Sequence, residues 1–116
     1  MYSVLIVDES SESREVLKTA LQRRGVRIFE ASRSQQGLAL AREHHPDVIV
    51  VDLEAETADA SDLSCDFAAT SPQHPAPLVL LGTAKRRPAA SAGGDFISKP
   101  YHYAPLIRKI ESLLAG

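Results

Sequence analysis

Val4-Leu5-Ile6-Val7-Asp8-Glu9 and Val48-Ile49-Val50-Val51-Asp52 share one form: four consecutive apolar residues, mostly β-branched, and then a carboxylate. A strand packed on one face alternates apolar with polar residues. An unbroken Val/Ile/Leu run marks a strand buried on both faces, as in parallel α/β sheets. Ligands of such sheets bind beyond the carboxyl ends of the strands. The two runs therefore bring Asp8, Glu9 and Asp52 to one edge. Three close carboxylates repel unless a cation lies among them. Mg²⁺ suits that place, since it takes one or two carboxylates and fills its other positions with water and phosphate oxygens.

Outward from these runs, strand and helix signals alternate along the chain. Tyr2–Val7 leads into Ser10-Ser11, which can cap a helix, and then into Val16, Leu17, Ala20 and Leu21 at helical spacing until Gly25. Val26–Ala31 reads as a second strand, and Ser34 opens a helix that His45-Pro46 ends. Asp47–Leu53 is the third strand, and Asp62–Thr70 a short helix carrying Leu63, Phe67 and Ala68. Pro72, Pro75 and Pro77 force an extended loop before the fourth strand, Leu78–Leu81, which ends at Gly82-Thr83. Ala84–Gly94, with Pro88 and Gly93-Gly94, has room for a turn or two of helix. Asp95–Ser98 is the fifth strand, and Tyr103, Leu106, Ile107, Ile110, Leu113 and Leu114 stripe the last helix. Five alternations predict an α/β fold: a doubly wound parallel sheet of five strands with helices on both faces and a short or irregular fourth helix.

The 116 residues suffice for one domain, 1–116, with a single core. Thirteen Lys and Arg against 15 Asp and Glu leave a formal charge of −2, so no global electrostatic argument favours nucleic acid or an anionic membrane. The lone Cys65 excludes an internal disulfide and is expected to be a small, buried or half-buried side chain. No apolar stretch approaches the ~20 residues that span a bilayer, and no basic leader precedes the first strand. A cytoplasmic protein is the expectation. The four His show no metal-ligand spacing, and neither G-x-x-x-x-G-K-[ST] nor G-x-G-x-x-G occurs.

Thr83 and Lys99 add a hydroxyl and an ammonium at the ends of the fourth and fifth strands. Alone, each residue of this set has an ordinary explanation as a cap, a strand-end hydroxyl or a solvated charge. Together they describe a phosphoryl-handling site: carboxylates for a divalent cation, a hydroxyl for a phosphoryl oxygen, and an ammonium as a compact counter-charge.

These residues resemble the receiver domain of two-component response regulators over essentially the whole chain. Asp8-Glu9 is similar to the family's acidic pair, Asp52 to its phosphoacceptor, Thr83-Ala84 to its Thr/Ser-Ala step, and Lys99-Pro100 to its Lys-Pro. The resemblance implies a flavodoxin-like sheet of order 2-1-3-4-5. It implies that Asp52 takes a phosphoryl group from a sensor histidine kinase or phosphotransfer protein. Asp8, Glu9, Asp52 and the backbone carbonyl of Glu54 would hold Mg²⁺, and Lys99 would pair with the phosphoryl group. Thr83 and Phe96 would switch, altering a surface read by a downstream output domain or protein. The resemblance implies a signalling module rather than an enzyme, with no direct binding to nucleic acid or membrane.

Two departures stand out. The stretch from Glu54 to Asp59 lacks the proline and glycine that family members often carry after the phosphoacceptor, and Glu54 and Glu56 add charge that favours a cation but opposes a phosphoryl anion. The short stretch after Thr83 weakens the fourth helix, part of the usual signalling face, and Lys85-Arg86-Arg87 reads as a solvated basic turn. The alternative is therefore a degenerate receiver that binds partners independently of phosphorylation. A small Mg²⁺-dependent phosphatase would need an additional acid/base residue or cap domain, and the sequence displays neither.

Overall fold

The computed structural model describes residues 1–54, 56, 58–83, 85 and 94–116. Ala84 and residues 86–93 of the predicted turn of helix, the basic Arg86-Arg87 among them, lie outside the described residues, as do Ala55 and Thr57 of the loop after Asp52.

Each buried run becomes a strand whose side chains alternate between two cores. Strands β1 (Ser3–Val7), β3 (Val48–Asp52) and β4 (Leu78–Gly82) are central, and β2 (Arg27–Ala31) and β5 (Asp95–Ser98) form the edges of a parallel sheet of order β2-β1-β3-β4-β5. Val4, Ile6, Val48, Val50, Val79 and Leu81 face helices α1 (Ser11–Gln22) and α4 (Tyr103–Leu114), meeting Leu17, Leu21, Leu106 and Ile110. Leu5, Val7, Ile49, Val51, Leu78 and Leu80 face α2 (Ser34–His44) and α3 (Ala60–Ala69), meeting Ala41, Leu63 and Phe67. Helices on both sides explain why the central strands show no polar alternation. The doubly wound architecture is the one the alternation predicts, and the strand order is the one the resemblance implies.

The register positions the site. Val7 pairs with Val51, so Asp8 and Asp52 are neighbours one residue further on. Asp52 pairs with Leu81, and Gly82 pairs with Ser98, so Thr83 and Lys99 complete the same edge.

Local details differ from the sequence reading. Helix α3 starts at Ala60 rather than Asp62, because Ala60 itself packs into the core. Cys65 is exposed rather than buried. The inward face of α3 is Ala60, Leu63, Ser64 and Phe67, and helical spacing leaves Cys65 on the opposite side.

Candidate phosphoryl-acceptor site

Asp52 closes β3 at the carboxyl edge and is 8% exposed. Its Oδ2 accepts the Lys99 ammonium at 2.6 Å, and its Oδ1 accepts the Glu54 backbone N–H at 2.9 Å. Lys99 is positioned by its own backbone, whose N–H donates to Gly82 O at 2.8 Å across the β4–β5 pair.

Asp8 is 5% exposed. Its Oδ1 accepts the Ser10 N–H at 2.9 Å, while Oδ2 is buried with no hydrogen-bond partner among the described residues. Burial pushes the Asp8 carboxyl above its ordinary range, and Asp52 adds to the rise; the Ser10 N–H, Lys99 and Arg14 oppose it. Ser10 also caps α1, its side chain accepting from Ser13 N.

Glu9, next in the chain, is directed outward. Its carboxylate, 58% exposed, pairs with Arg33 Nη2 at 3.3 Å, although Glu9 still lines the cavity above Asp52. Among the described residues no three His, Cys, Asp or Glu side chains stand close enough together to hold a metal ion by themselves. Mg²⁺ asks for less, keeping several waters beside one or two carboxylates. The orphaned Asp8 Oδ2, with Asp52 beside it, fits that demand.

Asp8, Glu9, Ser10, Ser13, Asp52, Glu54 and Lys99 line one cavity of about 330 Å³. A second cavity, about 450 Å³, starts from Asp52 and Lys99 and runs past Thr83 to Tyr101 and Tyr103. The structure thus gathers Asp8, Asp52 and Lys99 tightly and brings Glu9, Glu54 and Thr83 to the rim. Phe96, on β5, is half-buried against the α2–α3 core.

Arg14 and Tyr101 escape the sequence reading, which takes Glu56 only as added charge beside the site. Arg14, 18% exposed, donates Nη1 to the carbonyl of Asp8 and, at 3.4 Å, to that of Glu9, while Nε meets Glu30 at 3.3 Å. It clamps the acidic loop from helix α1, and only knowledge of which α1 face meets the loop would have revealed it. Glu56 is buried and accepts the Ser34 N–H at the start of α2, 3.3 Å from both carboxylate oxygens. Tyr101 packs edge-on against Tyr103, with ring centroids 5.7 Å apart. Burial first, then Tyr103, Asp52 and Asp8, push its phenol above the ordinary range, so it stays a neutral hydroxyl.

A family model described as "Response regulator receiver domain" matches residues 4–111. The KDP operon transcriptional regulatory protein KdpE of Escherichia coli is 32% identical over 119 aligned positions, covering 98% of this chain and 52% of KdpE. The chain therefore spans about half the length of that relative. Protein PilH of Pseudomonas aeruginosa is 25% identical, with both chains covered completely. Among solved structures, the chemotaxis response regulator CheY4 of Vibrio cholerae superposes with a TM-score of 0.83 at 23% identity, covering 97% of this chain and 98% of CheY4. The receiver domain of sensor histidine kinase PA1611 from Pseudomonas aeruginosa superposes with a TM-score of 0.81 at 20% identity, covering 99% and 98%. That structure has a magnesium ion coordinated in its active-site cleft.

Proposed function

The chain belongs to the family of response regulator receiver domains, and from that premise we propose that residues 1–116 form one receiver domain whose Asp52 accepts a phosphoryl group from a histidine kinase or phosphotransfer protein. Receivers of this family are signalling modules of two-component systems. The observation that carries the residue-level reading is the pairing of Asp52 with Lys99 beside the buried, unpartnered Oδ2 of Asp8. A receiver that had lost its chemistry would have no need of a buried carboxylate lacking a partner, whose desolvation costs stability.

In the reaction an Asp52 oxygen attacks phosphorus, a P–O bond forms and the P–N bond of phosphohistidine breaks. The imidazole nitrogen leaves with the electron pair and takes a proton from solvent. Asp8, Asp52 and the Glu54 carbonyl would hold Mg²⁺, with Glu9 joining through water or on release from Arg33. The ion would supply charge neutralisation at the phosphoryl oxygens. Lys99, already at Asp52, follows the new oxygens as their counter-charge. Thr83 turns its hydroxyl toward them, and Phe96 moves inward into the space vacated. The added charge of about −1.5 to −2 thereby alters the β4–β5 face read by an output domain or protein. Among the described residues no helix is long and apolar enough to cross a membrane, and we place the domain in the cytoplasm without contact to nucleic acid.

An amide NMR titration with Mg²⁺ and then beryllofluoride, an acyl-phosphate mimic, tests the reading. Saturable shifts at Asp8 and Asp52 that spread to Thr83, Phe96 and α4, and vanish in Asp52→Ala, are expected. Silence toward both ions would leave the phosphorylation-independent interaction module.

A further inference from the structure

Glu54 is attached to both halves of the proposed switch. Its backbone N–H donates to Asp52 Oδ1, and its carboxylate Oε1 accepts the Thr83 N–H at 2.7 Å, 29 residues away in sequence. Glu54 also lines the acceptor cavity, and its carboxylate, held at Thr83, puts a covalently anchored anion at the rim of the cleft around Asp52. The second glutamate of the loop does not share this position, since Glu56 is buried with its carboxylate at the Ser34 N–H. Glu54 therefore carries the conflict between cation and phosphoryl anion that the loop's charge poses.

We infer that Glu54 is a positioning residue with two settings. In the unphosphorylated protein its carboxylate holds the Thr83 backbone in place. The incoming phosphoryl group, an anion of higher charge, repels it from the cavity and frees Thr83 to turn toward the phosphoryl oxygens. The latch trades affinity for discrimination: Thr83 stays put until a true phosphoryl anion arrives, and that anion binds more weakly for having to displace a carboxylate. The inference rests on the acceptor role proposed for Asp52.

The test uses the intact chain with Mg²⁺ and beryllofluoride, and compares wild type with Glu54→Ala, Glu54→Gln and Asp66→Asn. Asp66 is an exposed carboxylate on α3, and its variant loses the same unit of charge elsewhere on the surface. Glu54→Ala should bind beryllofluoride roughly fivefold more tightly, as expected for removing a like charge in a solvent-open cleft. The Thr83 amide should then exchange with solvent faster in the metal-free protein. Glu54→Gln should keep the slow Thr83 exchange, because its Oε1 still accepts, and should gain most of the affinity. Asp66→Asn should match wild type in both. Affinity unchanged or weakened in Glu54→Ala, Thr83 exchange equal in all proteins, or the same gain in Asp66→Asn would each overturn the latch. Wild type binding beryllofluoride through Asp52 while Glu54→Ala behaves identically sinks the latch alone. Wild type that ignores beryllofluoride sinks the acceptor reading and the latch with it.

Discussion

Asp8 bears the electrostatic tension of the site in one side chain. Its carboxyl is buried, its Oδ2 lacks a partner among the described residues, and its pKa is raised. A raised carboxyl pKa means that the folded state prefers the protonated form, so this group favours folding at low pH and that contribution is lost as pH rises through its folded pKa. Asp8→Asn should therefore stabilise the metal-free protein at neutral pH by about 1–2 kcal/mol, because an amide still accepts the Ser10 N–H and carries no buried charge. Denaturant unfolding checks the gain, and the same variant should lose its response to Mg²⁺. Lys99→Ala should leave the fold intact and permit phosphoryl incorporation, but the beryllofluoride-induced shifts should no longer reach Phe96 and α4. An unchanged spread of shifts would remove Lys99 from the switch. Much of this site is legible in the sequence, because carboxylates that follow unbroken apolar runs lie at the carboxyl edge of a parallel sheet. The outward turn of Glu9 was not, since it depends on Arg33 arriving from the start of α2. Nor was the employment of Glu54 and Glu56, whose partners Thr83 and Ser34 come from other elements.

At the scale of elements, α2 is held close to the sheet by a missing side chain. A Cβ at Gly37 would stand 2.6 Å from Val7 Cγ2 and 3.4 Å from Phe67 Cζ, and Val7 immediately precedes Asp8. Gly37→Ala gains up to about 1 kcal/mol of helix propensity but overpacks this contact, for a net loss of about 1–2 kcal/mol. Thermal or chemical unfolding reads that loss, and unaltered stability would mean that α2 can shift outward freely. Glu56→Ala removes the carboxylate at the α2 N-terminus and should cost about 1 kcal/mol, as the loss of a helix cap does. The three central strands were readable because both faces of the sheet are covered there and each carries an unbroken apolar run of four residues. Element ends were less so: α3 begins earlier than its apolar spacing suggests, since Ala60 is too small to mark a buried position. Cys65 was placed inward by its residue type alone, whereas the phase of α3 set by Leu63 and Phe67 turns it out.

For the molecule as a whole, the proposed role makes the site a place where stability is surrendered to chemistry. Asp8, Asp52 and Lys99 meet at the end of the sheet between the two cores, and on that proposal the arrangement would become fully compensated only with a cation and a phosphoryl group present. Mg²⁺ should therefore raise the unfolding free energy of wild type by about 2.7 kcal/mol at a hundred times its dissociation constant, and by nothing measurable in Asp8→Asn. The central claim is narrower and more directly exposed to test: Asp52 is the phosphoacceptor. Intact-mass measurement after incubation with acetyl phosphate and Mg²⁺ should record a single added phosphoryl group, absent in Asp52→Ala and absent when the metal is chelated. No addition to wild type, or equal addition to Asp52→Ala, would contradict the account.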